Sequence, residues 1–177
     1  MPHIHTEQGQ HDTTASGFIV RLDQNEPRLV LHRHKLLGVY LQFGGHVELT
    51  ETPWQAIAHE IEEESGYTLD QLMVLQPKNN IRALTGIKVH PLPVILMTHA
   101  FDHGHNHTDI EYVFTTVAPP RHDVGTDESK DIKCFTRDQL VALPSREIPD
   151  NVRELGLFIL DTCLKDWEPV ETSLFEF

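Results

Sequence analysis

Residues 45–67 read GHVELTETPWQAIAHEIEEESGY, and the punctuation of this stretch decides how the chain around it folds. Thr52 is a good helix N-cap, Pro53 suits the first helical position, and Gln55 stands where it completes a capping box. Gly66 follows where a left-handed C-cap is wanted, so the stretch predicts a helix over Pro53–Ser65. At about 100° per residue, Trp54, Ile57, Ala58 and Ile61 share one arc, the expected buried stripe. Glu60, Glu63 and Glu64 share a second arc roughly a third of a turn away, and Glu62 points elsewhere. Three carboxylates at spacings of three and four repel one another and gain nothing from the dipole near a helix C-terminus. A hard divalent cation such as Mg²⁺ or Mn²⁺ would relieve that repulsion. A solvated acidic face is the alternative.

Working outward, Thr14 to Leu22 and Arg28 to His34 are β-rich runs around the turn cluster Asp23-Gln24-Asn25, which predicts a hairpin. Val39 to Phe43 predicts a third strand stopped by Gly44-Gly45. Strands are expected over Leu69 to Leu75, Pro93 to Phe101, Ile110 to Val117 and Ile132 to Thr136, with a His-rich loop between the middle two. Thr136 opens a short helix through Leu143. Residues 151–167 form the expected last helix, with Val152, Leu155, Phe158, Ile159 and Cys163 at helical spacing. No repeat or long linker divides the chain, so residues 1–177 are expected to form one domain.

The charge balance limits the partners. With 27 acidic against 14 basic residues, the net charge of −13 argues against a nucleic-acid footprint, which needs clustered Lys and Arg. No apolar run approaches the roughly 18 residues of a membrane span. The start, MPHIHTEQGQHDTT, lacks the apolar core of a secretory signal, so a cytoplasmic location is expected. Cys134 and Cys163 stand far apart, outside any metal spacing, and read as reduced structural thiols.

The whole stretch resembles the Nudix hydrolase signature, G-x5-E-x7-R-E-U-x-E-E-x-G-U, with U a bulky apolar residue. Gly45, Glu51, Glu60, Ile61, Glu63, Glu64, Gly66 and, loosely, Tyr67 match, and His59 replaces the usual Arg. LVLHRHKLLGVYLQFGGHVE, KVHPLP, HNHTDIEYVF and DESKDIKCFTRDQL also look like a bacterial-type Nudix subgroup. The resemblance implies an α/β/α sandwich with a mixed β-sheet, the box helix on one face and the C-terminal helix on the other. It implies a metal-dependent hydrolase that cleaves the diphosphate linkage of a nucleoside diphosphate joined to another group. Its cofactor would be Mg²⁺ or Mn²⁺, and a homodimer is common in such proteins. By the same resemblance Glu60, Glu63 and Glu64 are metal ligands, with the Gly45 carbonyl adding an oxygen. Glu51 and His59 are supporting residues. Glu128 is the expected distal acid, a ligand or base from a later loop, and Asp131 is its rival.

Other candidates keep competing readings. His103, His105, His107 and Asp109 alternate and would share one face of an extended segment. A polar loop tip is the favoured reading; a transition-metal site and contacts to substrate are the alternatives. Arg33, Lys35, Arg82 and Lys88 are cations that could meet the outer part of a substrate. Trp54 and Trp167 are expected in the core, whereas Tyr40 and Phe43 are candidates for stacking on a base. Two rival functions remain: a non-catalytic Nudix-like module that binds a nucleotide or sugar-nucleotide, and a prenyl-diphosphate isomerase. The intact box carboxylates count against the first, and the unsuggestive cysteines count against the second.

Overall fold

The computed structural model describes residues 9–100 and 105–175. Its strands are β1 (His11–Arg21), β2 (Arg28–Arg33), β3 (Tyr40–Leu41), β4 (Phe43–His46), β5 (Met73–Pro77), β6 (Ile95–Ala100), β7 (Asn106–Thr116), β8 (Ile132–Phe135) and β9 (Trp167–Glu171). Its helices are α1 (Pro53–Ser65), α2 (Arg137–Ala142), α3 (Asp150–Phe158) and α4 (Leu164–Asp166), with a π-helical turn at Ile159–Cys163 between the last two. These strands form one mixed sheet in the order β3-β2-β1-β7-β5-β9, with β4 on β1, β6 on β7 and β8 on β2. β1 and β2 form the expected antiparallel hairpin, and β1 pairs in parallel with β7 along their full length, from His11↔Asn106 to Arg21↔Thr116.

Strand alternation divides the core into two layers. Ala15, Ile19, Tyr112, Phe114 and Val74 face α1, where Trp54, Ile57 and Ile61 are fully buried against them. Phe18, Val20, Val113 and Leu75 face the other way, onto Leu140 of α2 and Val152 and Ile159 of the C-terminal helical run. This is a mixed α/β sandwich of the expected kind. Trp54 is a core residue, packed on Tyr112, Phe114 and Phe175. Among the described residues no helix is long and apolar enough to cross a membrane.

Several local expectations need correction. The diglycine does not stop the third strand: after β3 a new strand runs through it, pairing Gly44 with Ser16 and Gly45 with Ala15. The His-rich segment is only partly a loop, since His107 and Asp109 lie inside β7, buried by pairing with β1 on one side and β6 on the other. Leu69–Gln71 is a 3-10 turn, and the strand after it starts at Met73. The last helical run starts at Asp150, is interrupted by the π-turn, and ends at Asp166, because Trp167 is drawn into β9 against β5. Ala56, and not Ala58, completes the buried stripe of α1.

Candidate active site on the box helix

α1 is built as its sequence dictates. Thr52 accepts the backbone N–H of Gln55, the Gln55 side chain accepts the backbone N–H of Thr52, and Gly66 closes the C-terminus with φ 73°. Gly66 answers two demands at once, because a Cβ there would also collide with the carbonyl of His122. Backbone N–H groups of Arg121 and His122 donate to the Gly66 carbonyl, and that of Gly125 donates to the Glu63 carbonyl at 2.7 Å. The loop that carries Glu128 is thereby docked on the C-terminal end of α1.

The carboxylates differ in setting. Glu60 and Glu64 are buried at 5% and 8% exposure, while Glu63 and Glu62 are exposed on the outer turn. Glu64 Oε2 accepts the backbone N–H of Gly44 at 2.8 Å. Glu60 lies so close to Gly45 that any Cβ at that position would overlap its carboxylate, so the diglycine is what lets the helix approach β4. Burial pushes the Glu60 carboxyl up to about 7; the neighbouring His59 opposes this, and the charges of Glu63 and Glu128 add to it. Burial likewise pushes Glu64 up to about 9, against the Gly44 hydrogen bond and with Glu60, Glu128 and Glu63 repelling its charge. His32, whose Nε2 is 3.8 Å from Glu64 Oε2, offers no compensating charge at neutral pH, since burial and the nearby His34 lower it to about 4.

Glu51 and His59 lie beside Glu60. Glu51 Oε1 accepts the backbone N–H of Glu48 at 2.9 Å, and its other oxygen lies 3.2 Å from His59 Nδ1. His59 Nε2 is in turn 3.7 Å from Glu60 Oε1. His59 thus lies between the carboxylates of Glu51 and Glu60. Glu128 acts on both buried glutamates through its charge. Asp131 instead accepts from the Tyr40 hydroxyl and pairs with Lys133 at 3.5 Å. Arg33 is held by Glu147 at 2.8 Å over the Tyr40 ring. Lys35 donates to the Asp127 carbonyl, and Arg82 pairs with Glu168. Tyr40 and Phe43 are buried in the two core layers and present no stacking face, which corrects the expectation for both.

On the sheet face away from α1, a cavity of about 460 Å³ opens between Phe18, Met97 and Glu111 of the sheet, Gln42 between β3 and β4, and Asn151, Leu155 and Phe158 of α3. Gln42, two residues before Gly44, donates to Glu111 at 2.6 Å. Glu111 is fully buried, and burial together with Asp109 holds its carboxyl well above the ordinary range. The Ser16 hydroxyl donates its one proton to the Asp109 carboxylate, whose two oxygens lie at 3.0 and 3.1 Å. His105 and His107 turn to Asp12 on β1, with Asp12, His105 and His107 offering ligand atoms within 4.8 Å of one another. His103 lies outside the described residues. Asp12, Gln42 and Glu111 are polar residues of this face that sequence reasoning missed. Their only local signal is strand alternation, which does not tell which strands will be neighbours.

The family model described as NUDIX domain matches residues 11–155. The chain belongs to the NUDIX family. A NUDIX-family hydrolase from Clostridium perfringens is similar at 28% identity and TM-score 0.70, covering 85% of this chain and 96% of that one. A NUDIX hydrolase from Nitrosomonas europaea superposes at TM-score 0.62 with 16% identity, covering 95% and 97%. An Ap4A hydrolase of C. elegans superposes at TM-score 0.59 with 16% identity, covering 85% and 93%. The last two show the shared fold alone. No match was found among curated proteins.

Proposed function

We propose that this NUDIX-family protein is a divalent-metal-dependent pyrophosphohydrolase acting on a nucleoside diphosphate linked to another group. The observation that carries this reading is the pair of buried carboxylates, Glu60 and Glu64, crowded by the charges of Glu63 and Glu128, against which His59 acts on Glu60. Glu60 Oε1 is buried without a hydrogen-bond partner among the described residues. All-oxygen donors at this charge density fit a hard ion, Mg²⁺ or Mn²⁺. Glu60, Glu63 and Glu64 would hold it, with the Gly45 carbonyl as a further oxygen. When bound, the ion supplies neutralisation of phosphate charge and a lowered pKa for water.

The chain's own residues do the rest. Glu51 and His59 keep Glu60 in position. Glu128, brought to the helix end by its loop, takes the proton of the attacking water. The water oxygen bonds to phosphorus, the bridging P–O bond breaks, and the leaving phosphate carries away the bonding pair. The cavity beside Gln42 accommodates the group attached to the diphosphate.

The test is a panel of nucleoside triphosphates, dinucleoside polyphosphates, ADP-ribose and sugar nucleotides with Mg²⁺ or Mn²⁺, read by product analysis. Turnover of a diphosphate-linked compound that stops on chelation is expected. Tight binding of a nucleotide without turnover would instead make the protein a non-catalytic binding module. Light scattering on the same preparation tests the homodimer expected from the family resemblance.

A further inference from the structure

The sequence held a second metal-type pattern, the alternating histidines before and inside β7, which the hydrolase reading does not use. The fold changes its membership. Parallel register places Asp12 of β1 directly opposite His107 of β7. His105 comes from just before β7, with its Nε2 3.2 Å from Asp12 Oδ2. His46, at the end of β4, brings its Nε2 within 3.5 Å of the same oxygen. The His107 ring has those of His46, His105 and His99 at 5.0, 5.3 and 5.4 Å. Asp12, His46, His105 and His107 are all at least nine-tenths buried.

We propose that Asp12, His105 and His107 form a second metal site, selective for a borderline transition ion of the Zn²⁺ class and separate from the glutamates of α1. Three observations converge on this. The donors are two imidazoles and one carboxylate, a set that suits Zn²⁺ and its neighbours and not the hard oxygen-seeking Mg²⁺. The spacing is right: tetrahedral Zn²⁺ with bonds of about 2.0–2.1 Å separates its ligand atoms by roughly 3.4 Å, close to the Asp12–His105 distance. The remaining ligand atom lies within 4.8 Å of both others. The frame is also preformed, because the ligands sit on or beside strands already paired to one another and not on a free loop. His46, which pairs across to Thr14 and stands next to Gly45, rests against Asp12 beside this site without being one of its ligands. The site stands whether or not the protein is a hydrolase.

The test uses the full chain without an affinity tag, stripped by chelation and kept in millimolar Mg²⁺ so that hard-ion sites are filled. Zn²⁺ is titrated in competition with a chromophoric chelator, and Co²⁺ is followed by its visible absorption. One equivalent of Zn²⁺ at submicromolar affinity is expected. His107→Gln and His105→Gln should each weaken it a hundredfold or more, while the Glu63→Gln/Glu64→Gln double variant keeps it. X-ray absorption of the zinc-loaded native protein needs no variant and should show imidazole scattering from two histidines. Absence of a stoichiometric site in Mg²⁺, an oxygen-only coordination shell, or loss of the site in the glutamate double variant would each overturn the proposal.

Discussion

Glu64→Gln separates what the buried carboxylate costs the fold from what it does for function. In the metal-free protein the Glu64 carboxyl is pushed up to about 9 by burial, from an ordinary value of 4.5. A carboxyl raised on folding contributes its full share below the unfolded value, and stability falls as pH rises toward the folded value. At pH 7 the unfolded chain ionises Glu64 and the folded chain keeps it protonated. At about 1.4 kcal/mol per pH unit between 4.5 and 7, native Glu64 destabilises the metal-free fold by about 3 kcal/mol. Glutamine has the shape of the protonated acid and can still accept the Gly44 N–H, but it does not ionise. Its amide must be accommodated in the same buried space, which offsets about 1–3 kcal/mol, so 3 kcal/mol is a ceiling. Urea denaturation in EDTA should therefore find the variant at least as stable as native at pH 7, with a relative gain that grows from below about 1 kcal/mol at pH 5 toward pH 8.5. With Mg²⁺ or Mn²⁺ at a hundredfold excess over its dissociation constant, the native protein should gain about 2.7 kcal/mol and the variant little. A variant less stable than native in EDTA, by an amount unchanged from pH 5 to pH 8.5, would show that Glu64 is an ordinary structural carboxylate and refute the reasoning.

Glu60→Gln and Glu63→Gln should each lower kcat by orders of magnitude with circular dichroism unchanged, whereas Glu62→Gln, off the arc that Glu60, Glu63 and Glu64 share, should leave turnover near native. Glu128→Gln should lower kcat by about 10²–10⁴, as loss of a general base does, while Asp131→Asn, whose partners are Tyr40 and Lys133, should change turnover little in the same assay. His59→Arg should keep activity, because its fork can span Glu51 and Glu60; His59→Ala should lower kcat about tenfold or more, and equal rates for Ala and native would deny His59 any orienting role. Gly66→Ala forces φ 73° on an L-residue and a collision with the His122 carbonyl, so differential scanning calorimetry should find Tm lower by at least about 3 °C.

What could be read without the fold was what depends on neighbours a few residues apart. The Thr52–Gln55 box, Pro53 and Gly66 bound α1 at the expected residues, and spacings of three and four placed Glu60, Glu63 and Glu64 together, because a helix repeats within one or two turns. The tertiary structure decided the rest. Helix spacing could not tell that Glu60 and Glu64 would be buried and Glu63 exposed, since that depends on how closely Gly45 lets β4 approach. It could not keep Asp109 with the histidines or exchange it for Asp12, because Ser16 and Asp109 meet across 93 residues through the parallel pairing of β1 and β7. Alternation along a strand says which residues share a face. It does not say which strand will lie alongside, because parallel pairing is closed by long crossovers whose partners no local pattern names.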